Sequence, residues 1–280
     1  ASIVVPADGG KPVQRTDVAY NVGGLVWSAD GERVYFTGNE LEDDEYNRDL
    51  TTDIYLIGRE TGDPQKLTSN PGSESAPAVS ADGNRLAFLQ TRARGEETDL
   101  RVVDLAVNGT FRGIPRTLTG DWDMRPGAPT WAANGAAIRF LAGVGGDRHL
   151  FEVPVTGDLI RQLTTGARQI GSVSTSEDGL VMAYTVTDAV SPAEVYVNRG
   201  DGTLQRRVTA FNDEWLAGVT LQPAERLTWT VADGTEIEGW LIRPVGYEAG
   251  RPYPMILKIH GGPHGAYGNT FFRTFHVLSN

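Results

Sequence analysis

The sequence predicts a β-propeller of about four and a half four-stranded blades over residues 1–222, followed by the opening strands of an α/β domain over residues 223–280. Three observations predict it. An Asx-Gly turn recurs at Asp30-Gly31, Asp82-Gly83, Asn134-Gly135 and Asp178-Gly179, with glycine spacings of 52, 52 and 44. A Leu-Thr-like pair recurs in step with it, at Leu67-Thr68, Leu118-Thr119, Leu163-Thr164 and Val208-Thr209. After Thr209 the repeat stops, and a different pattern begins.

Each Asx-Gly precedes an alternating apolar run: Arg33 to Thr37, Arg85 to Leu89, Ala137 to Leu141 and Leu180 to Thr185. Asx-Gly suits a two-residue hairpin turn with positive φ at both central residues, which Gly and Asn or Asp reach at least cost. A second hairpin begins in each unit with Asp53 to Ile57, Asp99 to Leu105, His149 to Val153 or Glu194 to Asn198. The Leu-Thr-like pair closes the unit. Ahead of the first unit, Ile3 to Thr16 reads as the outer half of a further blade, with Gly9-Gly10 as its turn. Propellers close with about 4 to 8 blades, so further blades are expected upstream of this stretch. Trp27 and Trp131 stand at equivalent points before their turns and are expected in blade cores.

Composition narrows the function. The 25 basic against 36 acidic residues give a formal charge of −11, which disfavours nucleic acid as a partner. No stretch approaches the roughly 18 apolar residues of a membrane span, and residues 1–12 lack the layout of a signal peptide. The chain contains no cysteine, so thiolate nucleophiles, disulfides and cysteine-ligated metals are excluded. That usage fits a cytoplasmic protein.

From Pro223-Ala224, read as a linker, the sequence forms a hairpin of another register, Leu227 to Val231 and Glu236 to Ile242 around Asp233-Gly234. A turn-rich stretch then leads into the apolar run Met255-Ile256-Leu257-Lys258-Ile259, which reads as a buried strand. It ends in His260-Gly261-Gly262-Pro263. Glycines at the carboxyl end of such a strand let the backbone turn its N–H groups toward a ligand, and two amides so placed can hold an oxyanion. The bland alternative is a sharp turn at a strand end.

The residues Trp229 to Pro244, Pro254 to Ile259 and His260-Gly261-Gly262-Pro263-His264-Gly265-Ala266-Tyr267 resemble the prolyl oligopeptidase family of serine peptidases, in particular its acylaminoacyl-peptidase-like branch. The resemblance implies a propeller that caps an α/β-hydrolase domain and restricts access to short peptides. It implies that the Gly262 N–H is one oxyanion donor, that Gly261 gives the loop its freedom, and that His260 is structural. The residue after the nucleophile supplies the second donor. No Gly-x-Ser-x-Gly occurs in these 280 residues, so the nucleophile and its Asp and His partners are expected outside the sequence. The chain alone should therefore be inert. The implied partners are short peptides and the remainder of the hydrolase domain, on the same or a nicked chain. Homo-oligomerisation stays open, and no cofactor or metal is implied. Release of an N-acylated residue, of an end residue or of an internal fragment are all compatible.

Two rival readings remain. A non-enzymatic propeller that binds partners would fill the segment after Pro223 with another blade, and a lipase-like carboxylesterase would have a third Gly at Pro263 and no propeller. Other residues have plainer roles. The acidic run Glu40, Glu42, Asp43, Asp44 and Glu45 reads as a solvated loop. Arg92, Arg94, Arg112, Arg139 and Arg148 could line a channel, although arginines mostly cover surface apolar area. Tyr267, Phe271, Phe272 and Phe275 fit one face of a helix starting near Asn269-Thr270 and read as core. His276 reads as packed or capping.

Overall fold

A computed structural model describes all residues except 1, 2, 6, 19, 40–50, 60, 61, 94, 158, 263, 264 and 280. The acidic run from Glu40, Arg94, Pro263, His264 and Asn280 thus lie outside the described residues.

The first sheet carries β1 (Ile3–Val4) and β2 (Val13–Gln14), an antiparallel pair joined through Gly9 and Gly10, both at positive φ. Then come the units that the repeat spacing predicts. The first is β3 (Asn21–Trp27), β4 (Arg33–Asn39), β5 (Asp53–Gly58) and β6 (Gln65–Lys66); the second is β7 (Ser73–Val79), β8 (Arg85–Thr91), β9 (Thr98–Leu105) and β10 (Phe111–Thr117). Both are four-stranded antiparallel sheets in sequence order. The third is β11 (Thr130–Trp131), β12 (Ala137–Val144), β13 (Asp147–Pro154) and β14 (Arg161–Gln162), and the fourth is β15 (Gln169–Thr175), β16 (Val181–Thr187), β17 (Glu194–Arg199) and β18 (Arg206–Arg207). One parallel pair, Arg148 with Gln169, joins β13 to β15.

The chain divides into two compact units. One comprises residues 1–142 and 151–161, and the other residues 143–150 and 162–280.

In the first compact unit, alternation along the strands explains why both faces of a sheet are buried. Tyr35, Ile54 and Leu56 pack with Leu86, Phe88, Val103 and Leu105 of the next sheet. Their sequence neighbours Val34, Phe36, Tyr55 and Ile57 form a separate cluster with Tyr20 and Val22. Successive side chains of a strand point to opposite faces, so one apolar strand feeds two cores. Burial of such side chains contributes about 1.5–3 kcal/mol each. The Tyr35 hydroxyl, fully buried, donates to the Gly109 carbonyl at 2.7 Å, and burial pushes its pKa up to about 12. Trp131 is half-buried and its indole donates to the Ala78 carbonyl at 2.9 Å. Trp27 departs from the blade-core expectation: it is 44% exposed.

The Asx-Gly turns differ from the expected two-residue type. Only the glycine has positive φ, for example Gly31 at 70° and Gly83 at 71°, and the acid before it stays in ordinary space. The reason is a four-residue loop closed by backbone hydrogen bonds, for example from the Ser80 N–H to the Arg85 carbonyl and from the Gly83 N–H to the Ser80 carbonyl, both at 2.9 Å, and in three units a serine side chain reinforces it. The Ser80 hydroxyl donates to Asp82 Oδ1 at 2.6 Å and accepts from the Arg85 N–H at 3.0 Å across that loop. Ser28 and Ser176 do the same with Asp30 and Asp178. These hydrogen bonds favour ionised carboxyls, Ser80 and then Asn84 holding Asp82 down to about 2. In the third unit Ala132 replaces the serine, and the same backbone hydrogen bonds close the turn without it.

The Leu-Thr pair also has a physical basis. In every unit the threonine Oγ1 accepts the N–H of the second residue of the third strand's core run: Ile54, Leu100 and Leu150 at 2.9 Å, Val195 at 2.8 Å. The preceding N–H, of Leu67, Leu118, Leu163 or Val208, donates to the carbonyl of that same residue at 2.7–2.8 Å. The threonine hydroxyl donates to the side chain one position earlier, an acid in three units: Asp53, Asp99 and Glu194.

The third unit has His149 there, its Nδ1 at 3.3 Å from Thr164 Oγ1. His149 is buried, and loss of hydration holds its imidazole below the usual 6.5, with Asp147 opposing and Arg168 adding to the effect. A lowered folded-state value means that the unfolded chain takes up the proton first, so this contribution is present above about 6.5 and lost as pH falls below it. Urea midpoints measured from pH 7 down to pH 5 should fall, and His149→Asn, which keeps an acceptor for Thr164 but cannot titrate, should flatten that part of the profile.

Beyond the repeats, helix α1 (Asp213–Ala217) precedes an antiparallel hairpin of β19 (Ala224–Thr230) and β20 (Glu236–Ile242), and helix α2 (Arg273–Ser279) ends the chain. The hairpin falls where the sequence places it, with Gly234 at φ 89° in its turn, although Ala224 already belongs to β19 and is no linker.

Candidate functional site

The run Met255 to Ile259 was expected as a buried strand. Residues 251–260 have no regular secondary structure, and Met255, Ile256, Leu257 and Ile259 are 65–81% exposed. A strand exists only with a neighbour that takes its backbone hydrogen bonds, and among the described residues none pairs with this one. Lys258 instead lies over the Phe275 ring, 5.3 Å from its centroid.

The glycine pair follows directly. Gly261 and Gly262 are exposed, and Gly262 has φ 103°, a conformation that side chains with a Cβ rarely adopt. A Cβ there would meet nothing closer than the Gly265 nitrogen at 3.8 Å, so backbone geometry alone calls for glycine. Gly265 is different: its added Cβ would overlap the Gly261 carbonyl. The Gly265 backbone therefore lies close against the Gly261 carbonyl.

Past the loop, Tyr267 collects rings. Its centroid lies 6.1 Å from His260, 5.5 Å from Phe272 and 5.1 Å from Phe275. Three of the four rings therefore cluster, but the expected helix face does not form: α2 begins at Arg273, so Tyr267, Phe271 and Phe272 all precede it and owe nothing to helical spacing. Phe271 turns elsewhere, edge-on to Trp215 at 6.0 Å and stacked on His276 at 5.1 Å. His276 is 4% exposed with Nε2 at 2.7 Å from the Ala189 carbonyl, a packed histidine as expected.

The segment is held at further points that sequence reasoning did not single out. The Asn269 N–H donates to the Gly146 carbonyl at 2.9 Å, its Nδ2 donates to Asp147 Oδ1 at 2.7 Å, and its Oδ1 accepts from Trp240 Nε1 at 3.3 Å. The Phe271 N–H donates to Thr187 Oγ1 at 3.3 Å. The adjacent pair Gly145-Gly146 at a hairpin tip was the signal available in the sequence.

The arginines have separate partners. Arg139 is buried and donates to Glu152 at 2.8 Å, a carboxylate also bound by Arg161. Burial pushes Glu152 up, but the hydrogen bonds and charges of the two guanidinium groups together hold it below the ordinary range. Arg92 faces Asp99 at 3.5 Å and Arg112 faces Asp104 at 3.7 Å. Arg148 is exposed on β13. Among the described residues no cluster of three or more His, Asp or Glu side chains is placed to hold a metal ion, and no helix is long and apolar enough to cross a membrane.

Comparison with known proteins places these features. No protein-family model matches the chain. It is 26% identical to the uncharacterized peptidase YuxL of Bacillus subtilis, over 99% of this chain and 55% of that protein. It is 27% identical to dipeptidyl-peptidase 5 of Trichophyton schoenleinii, over 87% of this chain and 35% of that protein. The chain thus spans about half or less of the relatives it matches. Its fold is shared with the acylaminoacyl peptidase of Pyrococcus horikoshii, at a TM-score of 0.72 and 20% identity over 91% of this chain and 38% of that one. It is shared also with the β-propeller domain of the Trilobed protease of Pyrococcus furiosus, at a TM-score of 0.56 and 14% identity over 75% of this chain and 62% of that one. The four-stranded repeats fit an open propeller-like fold, and the chain is similar over most of its length to proteins named peptidase and dipeptidyl-peptidase.

Proposed function

We propose that residues 1–222 belong to the propeller, and residues 223–280 to the opening of the α/β-hydrolase domain, of a serine peptidase acting on short peptides. The reaction is acyl transfer to water: a serine attacks the scissile carbonyl, the amine leaves, and water releases the acyl group. In this reading the Gly262 N–H donates to the oxyanion of the tetrahedral intermediate, and Gly261 lets the loop turn. The serine, its histidine and its aspartate lie in polypeptide beyond these residues. The propeller limits access to short chains, and the surroundings are cytoplasmic. No cofactor is required, because a nucleophile, a base and two amide donors complete the chemistry.

The observation that carries this reading is the exposed Gly262 at φ 103°, just past the apolar run Met255 to Ile259, in a chain that matches peptidases over 87–99% of its length. The test is an intact-mass spectrum of the protein purified with whatever polypeptide continues it, after exposure to a fluorophosphonate probe. One probe mass on a species outside residues 1–280 is expected. A protein that takes up no probe and hydrolyses no peptide would sink the enzyme reading and leave a propeller that binds partners.

A further inference from the structure

We propose that Asn269 and Asp147 are positioning residues for the oxyanion loop, acting through Tyr267 and His260; the proposal rests on the peptidase reading above. The described residues leading into Gly261 and Gly262 have little of their own to fix them. Both glycines are exposed, and the preceding run from Arg251 to Ile259 has no regular structure. The segment on the far side of the loop is anchored closely. Asn269 makes three hydrogen bonds at once, one from its backbone and two from its amide, to Gly146, Asp147 and Trp240. Gln169 Nε2 donates to the same Gly146 carbonyl at 2.7 Å.

The receiving site is built for close approach. Gly146 lies at φ 82°, and a Cβ on it would overlap the Trp240 ring. A Cβ on Gly268 would overlap the Gly146 carbonyl. At Gly145, φ 51°, it would come within 2.9 Å of Arg226 Nη2. Three glycines therefore let one backbone strip, Gly268-Asn269, and one indole lie directly against the tip of the β12–β13 hairpin. Two residues before the anchor, Tyr267 meets the His260 ring that opens the loop. Asn269 thus fixes the segment that follows Gly265, and Tyr267 transmits that placement to His260, next to Gly261. The orientation of an oxyanion donor decides its value, since a displacement of about 1 Å can cost on the order of 100-fold in rate.

The amide matters because it must donate and accept together. Nδ2–H meets a carboxylate while Oδ1 meets an indole N–H. Asn269→Asp keeps the shape and the acceptor but sets a carboxylate against Asp147. The double variant Asn269→Asp with Asp147→Asn exchanges donor and acceptor and restores the pair.

The experiment has two arms. In the 280-residue chain, hydrogen exchange followed by mass spectrometry should show residues 265–279 losing at least about 10-fold protection in Asn269→Asp and regaining it in the double variant, with strands β3 to β10 unchanged. Unchanged protection would overturn the clasp. In the longer peptidase, Asn269→Asp should lower kcat about 10- to 100-fold with KM within about twofold, and the double variant should recover most of the loss. Lost protection with full kcat would overturn the positioning role and leave a purely structural contact. Failure of the unsubstituted longer protein to label or to turn over would overturn the peptidase reading, and with it the positioning role, whereas the exchange arm would still stand for the clasp itself.

Discussion

On the proposed peptidase function, Gly262→Ala is expected to lower kcat by about 10²- to 10³-fold with KM little changed, equivalent to about 2.7–4 kcal/mol of transition-state stabilisation. The space around Gly262 admits a methyl group, its nearest neighbour being 3.8 Å away. The backbone does not: at φ 103° an alanine is strained and relaxes toward negative φ, rotating the amide away from the developing oxyanion. Stability should change far less than rate, because the residue is exposed and packs against little. Gly234→Ala is the matching control. It places the same strain, at φ 89°, in the β19–β20 turn, where stability should fall and kcat should hold. Steady-state kinetics on both variants distinguish an amide used in the reaction from a turn glycine; equal kcat in wild type and Gly262→Ala would refute the oxyanion role.

Glu194→Ala is expected to destabilise the chain by about 3 kcal/mol, read from urea denaturation. Glu194 is 5% exposed and collects donors on both oxygens. Oε1 accepts from the Asn212 N–H at 2.9 Å, from Asn212 Nδ2 at 2.8 Å and from Arg207 at 3.1 Å, while Oε2 accepts from the Thr209 hydroxyl and from the Phe211 N–H at 3.2 Å. One carboxylate thus closes the fourth repeat and seats the start of α1. Burial pushes its pKa up, yet these donors together bring it down to about 2 from the ordinary 4.5. A lowered folded-state value stabilises above about 4.5, and that stability is lost as pH falls toward 2. Glu194→Gln should therefore cost most of its stability at neutral pH and show a shallower acid slope than wild type between pH 4.5 and 2. A Glu194→Gln profile parallel to wild type would show that the carboxylate charge contributes nothing.

The repeats were legible from sequence because each marks a local hydrogen-bond device. Leu-Thr closes β5 against β6 through Thr68, and the same bonds recur at Thr119, Thr164 and Thr209. Asx-Gly located every first hairpin, but the dipeptide alone does not set the turn type. The backbone bonds that close the loop, from the Ser28 N–H to the Arg33 carbonyl and from the Ser80 N–H to the Arg85 carbonyl, span five residues and lie outside the dipeptide. The hairpin of β19 and β20 was legible for the same local reason, a Gly234 turn between alternating strands. Gly261-Gly262 was visible as a motif, and its Gly262 φ follows from glycine's freedom.

Other features depend on partners distant in sequence, and no local pattern encodes those. The apolar run Met255 to Ile259 has the composition of a buried strand, but burial requires neighbours, and within the described residues it stays open to solvent. Phe271 has the spacing of a helix face, yet the Thr187 hydroxyl and the Trp215 ring draw it away from Tyr267. Asn269 carries no motif at all, and only the fold sets it against Gly146 and Asp147, more than a hundred residues earlier. The sequence by itself determined the repeating strands, their turns and the glycine loop, because turn chemistry and strand alternation act over a few residues. Tertiary structure alone decided which side chains hold Asn269 after that loop, because a hydrogen bond between distant segments depends on where the whole chain has carried them.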